Sequence, residues 1–121
     1  MIKAIGWIST LGLATAGTVA LMNAPREHCL GSFSTSLAKR SKSQRHNALL
    51  SVREIDGAVI GPGETFSFNK HVGSFSKDGG YRKAPVSYNG QLIDSFGGGV
   101  CQTSTTTYNA ALLSGMEIVE R

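Results

Sequence analysis

The residues with the clearest chemical potential lie in one segment, from Gly97 to Gly115, which reads GGGVCQTSTTTYNAALLSG. Within it, Cys101 follows three glycines and a valine, at the predicted start of a helix. The unpaired N–H groups and the dipole of a helix N-terminus favour negative charge, and therefore favour the thiolate, which is the nucleophilic form of cysteine. The pattern predicts a reactive thiol that faces inward or into a cleft.

Intrinsic propensity does not favour a helix at the start of this segment, because it contains four threonines, which are weak helix formers. Hydroxyl side chains are nevertheless favourable in a first turn, where they cap backbone N–H groups. From Tyr108 onward the sequence favours helix, and Gly115 is a natural end. The predicted helix brings four side chains onto one face: Cys101, Thr105, Tyr108 and Leu112.

Two kinds of function fit this segment. As an enzyme, Cys101 would attack a carbonyl, while Gln102 or the N–H groups of the turn would stabilise the oxyanion. That layout is analogous to cysteine peptidases and transpeptidases with the thiol at a helix start. No histidine or acid is identifiable as a partner for Cys101, since His71 lies in a polar loop and is better explained as a solvated side chain.

The alternative is a binding module without catalysis, in which Cys101 is a small buried residue. In that hypothesis the glycine turn and the polar start of the helix bind glycan or peptide. The candidate binding residues are Gly97, Gly98, Gly99, Thr103, Ser104, Tyr108 and Asn109.

The composition excludes several other classes. The 121 residues are 40% hydrophobic and 17% charged, which fits one globular domain. The net charge of +4 is mild, and no nucleic-acid motif is present, so we expect no nucleic-acid partner. Two distant cysteines, three scattered histidines and a triglycine that is not a nucleotide-binding motif predict no metal and no cofactor. A disulfide between Cys29 and Cys101 stays open as an alternative if the protein is exported.

The chain divides into three parts. Residues 1–24 contain an uncharged run, 4–22, and are predicted to be a signal peptide or membrane anchor. Residues 25–44 are polar and predict a linker. Residues 45–121 hold the predicted fold.

The fold class predicted for residues 45–121 is α+β. It comprises a helix over 46–57, the helix after the triglycine, and a β-hairpin at Asn89-Gly90, the dipeptide typical of a type I′ turn. Short strands are expected at 58–60, 65–69 and 116–120.

Three motifs together resemble a known family: GETFSFN, GGY followed by AP, and GGGVCQ leading into YNAALL. Residues 45–121 are similar to the VanW domain, a family associated with bacterial cell envelopes and with vancomycin-resistance clusters. The resemblance implies a protein exported or membrane-anchored through residues 4–22, with peptidoglycan as partner and a link to glycopeptide resistance. The enzymatic alternative then becomes a Cys101-dependent peptidase or transpeptidase acting on wall peptides.

The same resemblance implies a difference at the C-terminus. VanW-like domains continue past the equivalent of Glu120 and Arg121 with a histidine-containing segment and further strands. We therefore expect this chain to lack the C-terminal part of the domain. A catalytic base from that segment cannot be assigned to any residue here.

Overall fold

The computed structural model describes residues 27–121, and the predicted signal peptide or anchor lies outside these residues. The described part has an α+β fold, as predicted, with three helices and one antiparallel hairpin. The elements are α1 (Lys42–Ile55), α2 (Phe68–Val72), β1 (Lys83–Tyr88), β2 (Gln91–Phe96) and α3 (Val100–Leu113). None of the helices between residues 27 and 121 has both the length and the apolar character that crossing a bilayer requires.

The hairpin forms where the sequence predicts it. Asn89 and Gly90 both have positive φ, 48° and 78°, as the two central residues of a type I′ turn require. The register pairs Tyr88 with Gln91 at the turn and Lys83 with Phe96 at the open end. The open end of the hairpin leads directly into the triglycine.

Helix α1 begins at Lys42, four residues earlier than the hydrophobic pattern predicts, because a capping box precedes it. The Ser41 hydroxyl accepts a hydrogen bond from the Gln44 N–H at 3.2 Å, and the Gln44 side chain accepts one from the Ser41 N–H at 3.1 Å. This reciprocal pair satisfies two otherwise unpaired donors at the helix start.

The strands predicted at 58–60 and 65–69 are wrong. Residues 58–67 form turns and irregular backbone, and the next residues form the short helix α2. The alternation of Phe66 and Phe68 mimics a strand, but Ser67 between them is the N-cap of α2, accepting a hydrogen bond from the Lys70 N–H. Alternation alone does not make a strand, because a strand also needs a partner for its backbone groups.

The strand predicted at 116–120 is also wrong. The Met116 N–H donates to the Ala111 carbonyl at 3.1 Å, so the chain turns back immediately after α3. The guanidinium of Arg121 lies 4.7 Å from the centre of the Tyr108 ring. Residues 116–121 therefore return along α3 without pairing to a strand.

A small apolar cluster forms the core. Its buried members are Val72, Tyr81 and Val100, and partly buried Leu50, Ile55, Phe68 and Phe96 pack around them. The buried hydroxyl of Tyr81 has no hydrogen-bond partner among the described residues. Burial, and secondly the negative charge of Glu54, raises the pKa of Tyr81 above its ordinary value of 10.0.

The side chain of Asn47 joins three parts of the fold from a fully buried position on α1. Its amide nitrogen donates to the carbonyls of Arg82 and Gly98 at 2.8 and 2.9 Å. Its oxygen accepts from the Arg82 N–H at 2.8 Å. These bonds connect α1 to the chain entering β1 and to the triglycine turn.

Helices α1 and α3 pack through small polar and apolar residues. The Ser51 hydroxyl donates to the Thr103 hydroxyl at 2.9 Å, and Thr103 donates to the Ala48 carbonyl at 3.1 Å. All three residues are buried. Because these side chains are short, the two helices approach each other closely.

At the triglycine turn the backbone passes close to the backbones of β1 and α1. A Cβ atom on Gly98 would lie 2.5 Å from the Ala84 carbonyl oxygen, and one on Gly99 would lie 2.5 Å from the Gln44 carbonyl oxygen. Gly99 also has a φ of 105°, which side chains rarely allow. Two of the three glycines are thus required where the turn meets β1 and α1.

We expect Asn47→Ala to lower the free energy of unfolding by about 2–3 kcal/mol, because the Gly98 carbonyl and the Arg82 N–H lose their partner at about 1–3 kcal/mol each. The Arg82 carbonyl keeps a hydrogen bond from the Gly97 N–H. Urea unfolding followed by circular dichroism measures the change. Asn109→Ala is the matched control, since the Asn109 side chain donates only to the Thr105 carbonyl of its own helix. Equal losses in the two variants would contradict the central role of Asn47.

We expect Gly98→Ala to destabilise the protein by about 2 kcal/mol, through overpacking against the backbone of β1. The control is Gly79→Ala, whose Cβ would make only ordinary contacts, the nearest at 3.4 Å from the Ser76 hydroxyl oxygen. Thermal unfolding of both variants compares the two glycines directly. A loss of stability at Gly79 that matches the loss at Gly98 would show that close packing is not the cause.

Candidate functional site

A surface groove of about 440 Å³ lies where the triglycine turn, the start of α3, the hairpin and the start of α1 meet. We call it the Cys101 groove. It is lined by Arg40, Gln44, Pro85, Val86, Ser87, Leu92, Gly97, Gly98, Gly99, Cys101 and Gln102.

Cys101 is the second residue of α3, in the helix-start position that the sequence predicts. Its side chain is exposed and its thiol is free, which corrects the alternative in which Cys101 is a small buried residue. The N-cap of α3, Gly99, provides no side-chain hydrogen bond to the first turn. The open disulfide alternative is not formed either, because Cys29 is also free and exposed.

Gln102 holds the chain that precedes α1. Its side-chain oxygen accepts a hydrogen bond from Nε of Arg40 at 2.8 Å, and its side-chain nitrogen donates to the Ser36 carbonyl at 2.8 Å. Both ends of the amide are therefore used to position Arg40 at the groove. No local sequence pattern indicates this pairing, because the partners lie more than 60 positions apart.

Residues 27–41, here called the strap, have neither helix nor strand, yet they run along α3. At one end Arg40 and Ser36 bond to Gln102. In the middle the hydroxyls of Thr35 and Thr106 lie 2.8 Å apart, and at the other end Gly31 packs against Ser114. The strap is thus antiparallel to α3 and spans its length.

Of the residues predicted to bind, the groove collects only the glycines. Thr103 is buried between α1 and α3, and its hydroxyl is bonded to Ser51 and Ala48. The remaining three do not line the groove either: Ser104, Tyr108 and Asn109. The physical reason is that successive helical residues are rotated by about 100°, so a continuous polar stretch cannot share one face.

The lining of the groove contains one cationic side chain and no acidic one. The cation is Arg40, and the lining includes no aspartate, glutamate or histidine. His46 is bonded to the Gly80 carbonyl and His71 to the Ser67 carbonyl, both at 2.9 Å. No group of three or more metal-ligating side chains occurs between residues 27 and 121. The lining is therefore suited to a polar or anionic ligand.

Two further cations precede or follow Arg40 closely in the chain, and both are exposed: Lys39 and Lys42. They belong to the end of the strap and the start of α1, beside the groove. We refer to this region, with Arg40, as the basic end of the domain.

Comparison with known proteins adds a family to this geometry. The family model described as VanW like protein matches residues 43–121. The uncharacterized protein YoaR of Bacillus subtilis strain 168 is 44% identical over 92 residues, which cover 76% of this chain and 30% of YoaR. No solved structure matches the chain.

A second relative is the vancomycin B-type resistance protein VanW of Enterococcus faecalis strain V583. It is 36% identical over 75 residues, which cover 62% of this chain and 27% of that protein. The chain thus spans less than a third of the length of these two curated relatives. The matched region contains the hairpin, the triglycine turn and α3. On this match, the chain belongs to the VanW family.

Proposed function

We propose that this protein acts at the bacterial cell envelope, where the Cys101 groove binds peptidoglycan, and that this binding is linked to glycopeptide resistance. The observation that carries the proposal is the open groove with Arg40 fixed at its side and no acidic residue in its lining. The resistance link is supported by the name of the relative VanW. The envelope is supported by the uncharged run at residues 4–22.

The chemistry of the lining fits a wall peptide. Peptidoglycan stem peptides carry carboxylates and amides, which accept and donate hydrogen bonds. Arg40 uses its Nε–H for Gln102, and its remaining N–H groups are the kind that bind carboxylates in pairs. Because Gln102 already orders the Arg40 side chain, less conformational entropy is lost when a ligand binds.

The two sides of the groove offer different contacts. One side of the groove is formed by the backbone of the triglycine turn. Pro85, Val86 and Leu92 of the hairpin supply apolar surface. A peptide with short apolar side chains and a charged end can use both sides at once.

We expect Arg40→Gln to weaken cosedimentation with purified peptidoglycan about tenfold, because a charge-assisted hydrogen bond contributes roughly 1.5–3 kcal/mol. Arg53→Gln is the control, since Arg53 is an exposed arginine in the last turn of α1, far along the helix from the groove. Cys101→Ala is expected to retain binding. Failure of the wild-type chain to sediment, or equal losses for Arg40→Gln and Arg53→Gln, would contradict groove binding.

A second candidate function is acyl transfer by Cys101, favoured by its exposed thiol in the first turn of α3. The thiolate would attack a stem-peptide carbonyl, form a thioester and release the amine. Water or a second amine would then take the acyl group and regenerate the thiol. The oxyanion would accept a hydrogen bond from the backbone N–H of Cys101, because the N–H groups of Val100 and Gln102 already donate to the carbonyls of Gly97 and Gly99. The Gln102 side-chain amide is engaged with Arg40 and Ser36.

The acyl-transfer hypothesis predicts that Cys101→Ser abolishes release or exchange of wall peptides, while Cys29→Ser leaves it unchanged. Chromatography of wall fragments incubated with each variant measures the products. Iodoacetamide labelling across a pH series should also modify Cys101 faster than Cys29. Equal labelling rates, together with full activity of Cys101→Ser, would reject this candidate and leave binding as the function.

A further inference from the structure

We infer that the end of the domain opposite the Cys101 groove docks on the lipid bilayer, which holds the groove about 20 Å from the membrane surface along the 14-residue helix α3. This inference rests on the proposed placement at the cell envelope. It adds an interaction surface and an orientation to that proposal.

Helix α3 and the strap define the two ends of this axis. Cys101 and Gln102 are at the start of α3, where the strap contributes Arg40. At the other end, a Cβ on Gly31 would lie 2.8 Å from the backbone nitrogen of Ser114. The beginning of the strap is therefore packed against the end of α3.

That far end exposes large apolar side chains. Leu30 is 70% exposed on the strap, and Leu112, Leu113 and Met116 are 51%, 59% and 45% exposed at and just after the end of α3. We call these four residues the apolar end. Scattered exposed apolar residues are ordinary, but several at one end of a small domain mark an interaction surface.

The chain that leads into the apolar end indicates a bilayer as the occupant. The uncharged run 4–22 has the length of a membrane-spanning segment, and only residues 23–29 separate it from Leu30. Even fully extended, a connection of that length reaches roughly 25–30 Å. A run embedded in lipid would therefore hold the apolar end within about 25–30 Å of the membrane surface. Contact with the bilayer itself would come from the exposed apolar side chains.

The charges do not supply the attraction for this contact, because cations are attracted to anionic head groups and carboxylates are repelled by them. The exposed cations Lys39, Arg40 and Lys42 lie at the basic end beside the groove. Near the apolar end the sequence places two carboxylates, Glu27 and Glu117. Contact there would depend on burying apolar surface in the lipid interface rather than on attraction to anionic head groups.

Two native thiols report on the two ends. Cys29 adjoins the apolar end and Cys101 lies in the groove, and both are free and exposed. Full-length Cys101→Ser and Cys29→Ser chains each keep one thiol for a polarity-sensitive fluorophore. Each is reconstituted into vesicles of phosphatidylcholine and phosphatidylglycerol that contain nitroxide-labelled lipid, which quenches probes at the bilayer.

We expect several-fold quenching of the probe at Cys29 and unchanged emission at Cys101. The double variant Leu30→Glu with Leu113→Glu should abolish the quenching at Cys29. Val59→Glu is the control, because Val59 is 90% exposed in the loop after α1. Circular dichroism and thermal unfolding of each variant establish that a loss of quenching is not a loss of fold.

Three outcomes would overturn the inference. Quenching at Cys101 alone would show that the basic end docks on anionic lipid. Vesicle association without quenching at either thiol would show that no end of the domain docks. A chain that sediments with peptidoglycan but does not associate with vesicles would refute the membrane orientation and leave groove binding intact.

Discussion

The buried amide of Asn47 is the interaction on which the arrangement of this domain depends. A side-chain amide removed from water must have partners, because an unpaired buried polar group costs free energy. Asn47 meets this requirement with the N–H and carbonyl of Arg82 and the carbonyl of Gly98. The position of α1 is thereby coupled to the entry of β1 and to the turn before α3. The Cys101 groove lies where these three parts meet, so its shape follows from the same bonds.

The triglycine turn contributes both to the contact between α1, β1 and α3 and to the lining of the groove. Glycines before a helix whose first turn contains a cysteine suggest a ligand-binding turn, and Gly97, Gly98 and Gly99 do line the groove. The same residues also allow the turn to touch the backbones of Ala84 and Gln44, where no Cβ would fit. Packing therefore accounts for the three glycines, since a Cβ at each position would meet Phe75, Ala84 or Gln44. A glycine at such a turn is not by itself a sign of ligand contact.

The two ends of this VanW-family domain differ in the side chains they expose. The groove end combines a free thiol, an ordered arginine and two exposed lysines with apolar surface of the hairpin, which includes Leu92. The other end exposes leucine and methionine side chains. The strap runs along α3 from one end to the other, so the first described residues lie at the apolar end.

The sequence by itself determined the features that arise within a few residues. These are the Asn89-Gly90 turn, the helix after the triglycine, the α+β class and the family motifs. Prediction from the sequence was wrong or silent where a contact with a residue far along the chain sets the local structure. The alternating segment at 65–69 has no strand to pair with, Thr103 is buried by Ser51, and the strap is ordered by Gln102. Asn47 meets Gly98 across 51 positions, a contact that no local pattern encodes. Turn and capping preferences act through neighbouring backbone atoms, whereas burial and hydrogen-bond partners exist only once the chain has folded, so the tertiary structure alone decided which polar residues face the groove and which support it.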